Sequence, residues 1–107
     1  MNSVHLIGNI TRDPEIRRTN NGVAVCNFDL AVPGYQNKTN FIKCVAWKGL
    51  AESLTKYIKV GNKLGVSGKL ESTSYERDGV THYGMEVVCE SIDFIRTAPR
   101  LEDARPY

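Results

Sequence analysis

Residues 20–34 read Asn20-Asn21-Gly22-Val23-Ala24-Val25-Cys26-Asn27-Phe28-Asp29-Leu30-Ala31-Val32-Pro33-Gly34. From Ala24 to Val32 every even position is apolar (Ala24, Cys26, Phe28, Leu30, Val32), with Asn27 and Asp29 between them. Alternate side chains of a strand point to opposite faces, so this is a strand with one buried and one wet face. Asn21-Gly22 ahead of it predicts a two-residue hairpin turn, and Pro33-Gly34 ends it.

Working outward, Val4 to Ile10 also alternates, with Val4, Leu6 and Ile10 on one parity, until Asp13-Pro14 interrupts the pairing. Glu15 to Thr19 resumes as a short ribbon. Downstream, Thr39 to Trp47 is apolar on both parities, which predicts a central strand. The period then changes: Leu50, Leu54, Tyr57 and Ile58 recur at helical spacing, and Gly61 closes the helix. Lys63 to Tyr75 returns to alternation through Leu64, Val66 and Leu70, with Gly65 and Gly68 marking bends or bulges. Asp78-Gly79 predicts a second tight hairpin, and Tyr83 to Cys89 a fifth strand, extended by Ile92 to Ile95. Phe28, Tyr57 and Phe94 are assigned to the core. Three strands, a helix and two strands predict an all-β, five-stranded OB-fold barrel with one short helix between strands 3 and 4, a small SH3-like barrel being the alternative. Residues 1–97 form the expected domain, and residues 98–107, which lack periodicity, the expected disordered tail.

Composition narrows the function. The longest apolar runs, Val23 to Cys26 and Cys44 to Trp47, have four residues, too few for a membrane span or a signal-peptide core. Cys26, Cys44 and Cys89 are odd in number and unlike a CxxC pattern, so reduced, buried thiols in a cytoplasmic protein are expected. His5 and His82 stand far apart, and neither a P-loop nor an HExxH motif occurs. No catalytic residues, metal or cofactor are expected. Charge is unevenly spread: residues 1–70 hold ten Lys or Arg against four acids, net +6, while residues 71–107 hold four against eight, net −4. Seven lysines between Tyr35 and Lys69 face only Glu52. Such a stretch suits a polyanionic partner or a solvated face, and placement decides between them.

An OB barrel binds through strands 2 and 3 and the loops joining strands 1 to 2 and 4 to 5. On Thr39–Trp47 the odd parity carries Phe41, Lys43, Val45 and Trp47. A lysine between two aromatics is costly on a core face, whereas outward it makes a strip of rings and a cation suited to stacked bases and phosphate. The competing reading buries Phe41, Val45 and Trp47 while Lys43 snorkels past them. Arg17 and Arg18 lie on the Asn21-Gly22 hairpin, Tyr35 and Lys38 in the next loop, and Lys69 and Tyr75 on one parity of the fourth strand.

With these residues assembled, the chain closely resembles the bacterial-type single-stranded DNA-binding protein family from Met1 to about Arg96. The likeness is carried by Leu6-Ile7-Gly8-Asn9-Ile10-Thr11-Arg12-Asp13-Pro14-Glu15-Ile16-Arg17, Asn21-Gly22, Phe28-Asp29-Leu30-Ala31-Val32, Trp47-Lys48-Gly49-Leu50-Ala51-Glu52 and Met85-Glu86-Val87. The resemblance implies an OB fold, a cytoplasmic homotetramer, and sequence-tolerant binding of single-stranded DNA without chemistry, in replication, recombination and repair. Its stacking aromatics fall on or next to Tyr35, Phe41, Trp47 and Tyr75, and its basic positions match Lys43 and Lys48 most directly. Arg12, Arg17, Arg18, Lys38 and Lys69 complete the expected phosphate contacts. The sequence departs from the pattern at Ile42, where many relatives carry histidine. Replication and repair partners are implied through an acidic C-terminal tip. Ala98 to Tyr107 instead carry Arg100 and Arg105 against Glu102 and Asp103, so recruitment of that kind is not expected here. A primosome-like OB adaptor acting through protein contacts is the alternative function.

Overall fold

Residues 1–95 are described by the computed structural model; the expected domain end at residue 97 and the tail at 98–107 lie outside them. The alternating segments become β1 (Val4–Ile10), β2 (Arg17–Arg18), β3 (Ala24–Pro33), β4 (Thr39–Trp47), β5 (Lys63–Arg77) and β6 (Val80–Phe94), with α1 (Gly49–Tyr57) between β4 and β5. The strands pair in the order β1-β5-β6-β4-β3-β2, and β1 also pairs with β3. That last pairing closes β1, β5, β6, β4 and β3 into a ring of five, the OB-type barrel, with the β2 ribbon appended to β3.

β1 closes the ring because it is long enough to serve two partners. Val4–Asn9 pair with Gly68–Lys63 of β5, and Asn9–Ile10 then pair with Ala31–Leu30 of β3. Gly8 sits at the crossover, where a Cβ would run into the Ala31 carbonyl. The seam continues through Ile10 N–H to the Asn62 carbonyl (3.0 Å) and Gly61 N–H to the Ile10 carbonyl (3.0 Å). Asp13 Oδ1 accepts from Val60 N–H at 2.7 Å, tying the loop after β1 to the loop after α1.

The interior holds Ile10, Cys26, Phe28, Leu30, Cys44, Ala46, Leu64, Val66, Val87 and Cys89, and α1 adds Ala51 and Leu54, with Ile58 following it. As the alternation predicts, the even residues of β3 turn inward, and so do Cys44 and Ala46 of β4. The hydrogen bond with the Cys89 thiol, followed by burial, pushes the Cys44 thiol well above its ordinary range. Burial raises Cys26 too, against an opposing pull from the Glu15 backbone hydrogen bond and Arg17. These thiols are protonated core groups.

Four local expectations change. Tyr57 and Phe94 are 60% and 45% exposed, not core. With 3.6 residues per turn, Tyr57 lies about 90° off the stripe of Ala51, Leu54 and Ile58, so its ring flanks the barrel rim and packs on Phe94 at 6.0 Å. The Asn20-Asn21-Gly22 turn has three loop residues, not two. Thr19 N–H donates to the Val23 carbonyl (2.9 Å), Gly22 N–H to the Thr19 carbonyl (2.8 Å), and only Gly22 has positive φ, at 80°. The register shift falls at Ser67/Gly68, so Gly68 marks the bulge while Gly65 pairs regularly with Asp93. Residues 80–94 form one unbroken strand; with Asp78 (φ 54°) and Gly79 (φ 77°) forming the expected two-residue turn, β5 and β6 extend beyond the ring as an exposed arm.

At the β4–α1 junction Lys48 has φ 58° and ψ −127°, the first central position of a type II′ turn, which favours glycine. It is held there by donation from its N–H to the Ala24 carbonyl (2.8 Å) and by Glu52 N–H donating to the Lys48 carbonyl (3.1 Å). Such strain costs about 1–3 kcal/mol, partly offset on substitution by the backbone entropy of glycine. Lys48→Gly is therefore predicted to raise unfolding free energy in urea by about 1 kcal/mol at fixed protein concentration. An equal loss of stability would show that the turn is unstrained.

Candidate nucleic-acid interface

Since Cys44 and Ala46 point inward, the odd residues of β4 point out. Phe41 is 66% exposed and Trp47 42% exposed, with Lys43 exposed between them. Over six residues of strand the two rings stand about 20 Å apart. Val45 shares this face yet is buried, at the base of a groove lined by Arg17, Asn27, Trp47 and Glu86. Cross-strand register extends the face in both directions. Across β3, Trp47 lies opposite Val25, Val45 opposite Asn27, Lys43 opposite Asp29 and Phe41 opposite Ala31. Arg17 of β2 pairs with Val25, which puts it in the row of Trp47.

On the other side β6 runs parallel to β4, with Val45 opposite Val88, and Val88 in turn opposite Lys69 of β5. Lys69 therefore shares the outer face, and so does Tyr75, three alternations further along β5. Tyr75 is 59% exposed and stacks on its cross-strand partner His82, centroids 4.9 Å apart and planes at 16°. Tyr75 thus serves as a cross-strand partner while its ring stays exposed. Phe41, Trp47 and Tyr75, from two strands that are not neighbours, share the outer parity of the sheet.

The remaining expected residues occupy different positions. Tyr35, 81% exposed, and Lys38 lie in the β3–β4 turn, where Gln36 and Asn37 both have positive φ. They extend the Phe41 end of the strip, while Lys48, exposed, extends the Trp47 end. Arg12 and Lys43 line a groove with Asn27, Asp29 and Glu86. Arg18 pairs with Ala24, an inward residue, and so has the opposite parity to Arg17; its guanidinium lies 3.7 Å from Glu52 of α1. Lys69 is engaged at 3.9 Å by Glu71. Both pairs are half exposed, and such pairs are weak enough to yield to a phosphate.

Three grooves join into a trough from the Asp13 loop to Trp47, because each is lined by Asn27; their volumes are about 330, 360 and 380 Å³. Asn27, Asp29 and Glu86 are functional candidates that sequence reasoning missed. Asn27 and Asp29 were legible only as the wet face of their strand. The nearness of Glu86 to Lys43 needs the parallel β4–β6 pairing, which joins segments about forty residues apart.

Chemically, the surface offers exposed π faces, cations at intervals and a solvent-open channel between them. Among the described residues no three His, Cys, Asp or Glu side chains are grouped to hold a metal ion, and no helix is long and apolar enough to cross a membrane.

Residues 1–95 match the Single-strand binding protein family. The chain is 44% identical to the Single-stranded DNA-binding protein of Oceanobacillus iheyensis over 91% of its own length and 65% of that protein's. It is 42% identical to the Single-stranded DNA-binding protein of Bacillus cereus over 89% of its own length and 60% of that protein's. It is 41% identical to Single-stranded DNA-binding protein 2 of Clostridium acetobutylicum, covering 89% and 77%. The chain thus spans about three fifths of the length of the first two relatives. On a family match that runs the whole described length and on identities above 40%, the chain belongs to the single-strand binding protein family.

Proposed function

We propose that this chain coats and protects single-stranded DNA with little regard to sequence, serving replication, recombination and repair in the cytoplasm. It works by binding rather than by catalysis. The observation that carries the reading is the shared outward face of Phe41, Trp47 and Tyr75 with Lys43 and Lys69 beside them. Core packing does not require three aromatic rings in water, and a protein adaptor would not need cations spaced between them. Bases stack on Tyr35, Phe41, Trp47 and Tyr75, while Arg17, Arg18, Lys38, Lys48 and Lys69 neutralise the backbone and Arg12 and Lys43 add positive charge at the middle of the strip. Every base has a π face, so stacking tolerates sequence, and a sheet with a solvent-open trough admits one flexible strand more readily than a stiff duplex.

The working form is a homotetramer. One barrel offers a short strip, and Ile7, Tyr83 and Met85 remain exposed as apolar surface that assembly would cover. Sedimentation at micromolar concentration is predicted to give about four times the 12.0 kDa chain mass. A 12.0 kDa species would overturn the tetramer.

Trp47 is the only tryptophan, so its fluorescence reports on the strip without interference. Poly(dT) is predicted to quench it, and duplex of equal length to leave it unchanged. Stacking contributes about 1–3 kcal/mol per base, so Trp47→Ala should weaken binding roughly 5- to 150-fold. Because the ring is partly exposed, the variant should stay folded. Unaltered emission at saturating DNA, with wild-type affinity in Trp47→Ala, would remove the strip as the binding surface.

A further inference from the structure

One segment of the trough has a charge pattern that phosphate binding does not explain. Arg12, Asn27, Asp29, Lys43 and Glu86 line a groove of about 330 Å³, with the buried residues Phe28 and Cys44 at its base. Asp29 lies opposite Lys43 across β3–β4, and Glu86 comes from β6, where it lies opposite Glu71. Two cations and two carboxylates thus share one groove. Yet the ion pairs among the described residues are Arg18–Glu52 and Lys69–Glu71, neither of them here. Glu71 and Glu86 moreover set like charges directly opposite each other, an arrangement that costs stability.

A phosphate entering this groove would meet repulsion from Asp29 and Glu86 that offsets the attraction of Arg12 and Lys43. A nucleobase edge, neutral and carrying donors and acceptors side by side, meets no such penalty. Carboxylates accept hydrogen bonds from the exocyclic amine of cytosine, and guanidinium or ammonium groups donate to its carbonyl oxygen. Thymine has a carbonyl where cytosine has the amine, so a carboxylate aimed there finds an acceptor and no donor. Phe41 lies two residues before Lys43 on the same face of β4.

We propose that this groove is a base subsite that favours amino-bearing bases, cytosine over thymine among the pyrimidines. Glu86 and Asp29 are the acceptors for the amine, and Arg12 and Lys43 the donors to the carbonyl oxygen. The subsite rests on the single-strand reading above and adds a bias to otherwise tolerant coating.

The pyrimidine pair isolates the amine because the two rings are equal in size. Equal-length oligo(dC) and oligo(dT) are titrated above neutral pH and in matched salt against wild type, Glu86→Ala and Asp29→Ala, each variant checked for folding by circular dichroism. Two variants on different strands keep the test open if one fails to fold. The ratio of oligo(dC) to oligo(dT) affinity is expected to fall by about fivefold or more in each folded variant. Oligo(dT) binding itself should hold or tighten as a negative charge is removed. A ratio unchanged in the folded variants, with both oligonucleotides still bound, would overturn the subsite and leave the coating function standing. Wild-type binding of neither oligonucleotide would overturn both.

Discussion

Closure of the ring through β1, hydrogen-bonded to β5 along Val4–Asn9 and to β3 at Asn9 and Ile10, is the constraint on which the rest of this molecule depends. A closed barrel has one interior, and once Cys26, Phe28, Leu30, Cys44, Ala46 and Val87 fill it, the alternate residues of the same strands must face out. Phe41, Lys43 and Trp47 are therefore exposed because of what their neighbours bury. The same closure draws in the loop after β1 through the Asp13–Val60 hydrogen bond, which brings Arg12 to the trough. The proposed function uses the outer parity of a sheet whose inner parity serves stability.

Electrostatics then divides the face. Lys48 and Arg17 stand at the Trp47 end and Lys38 at the Phe41 end, while Asp29 and Glu86 occupy the middle beside Lys43. A uniformly basic strip would hold phosphates along its whole length and release the strand slowly. A strip with carboxylates at its centre presents cations where a backbone would enter and leave, and polar, mixed-sign surface where bases would lie. Stacking on rings is sequence-tolerant, and the proposed base bias rests on this central segment.

Much of this was legible in the sequence because it depends on local alternation. The even residues of 24–32, the inward set of β4 and the Asp78-Gly79 turn each follow from a two-residue period or a dipeptide whose backbone preference is strong. What was not legible depends on partners distant in the chain. The fate of Arg18 turns on Glu52 of α1, and the exposure of Tyr57 and Phe94 on where the helix meets the barrel rim. The Asn21-Gly22 loop holds three residues because the Thr19–Val23 pairing sets its length, which the dipeptide does not. Glu86 entered the site only through a parallel pairing that no nearby residue announces.

The central claim is that one outer face of the barrel carries the strand. Ultraviolet cross-linking of the chain to 5-iodouracil-substituted single-stranded DNA, with the modified residues located by mass spectrometry, tests it most directly. Cross-links at Phe41, Trp47 and Tyr75, with Tyr35 at the strip's end, are the predicted result. Cross-links at Tyr57, Tyr83 or Phe94, exposed aromatics that lie off this face, with none on the strip, would contradict it.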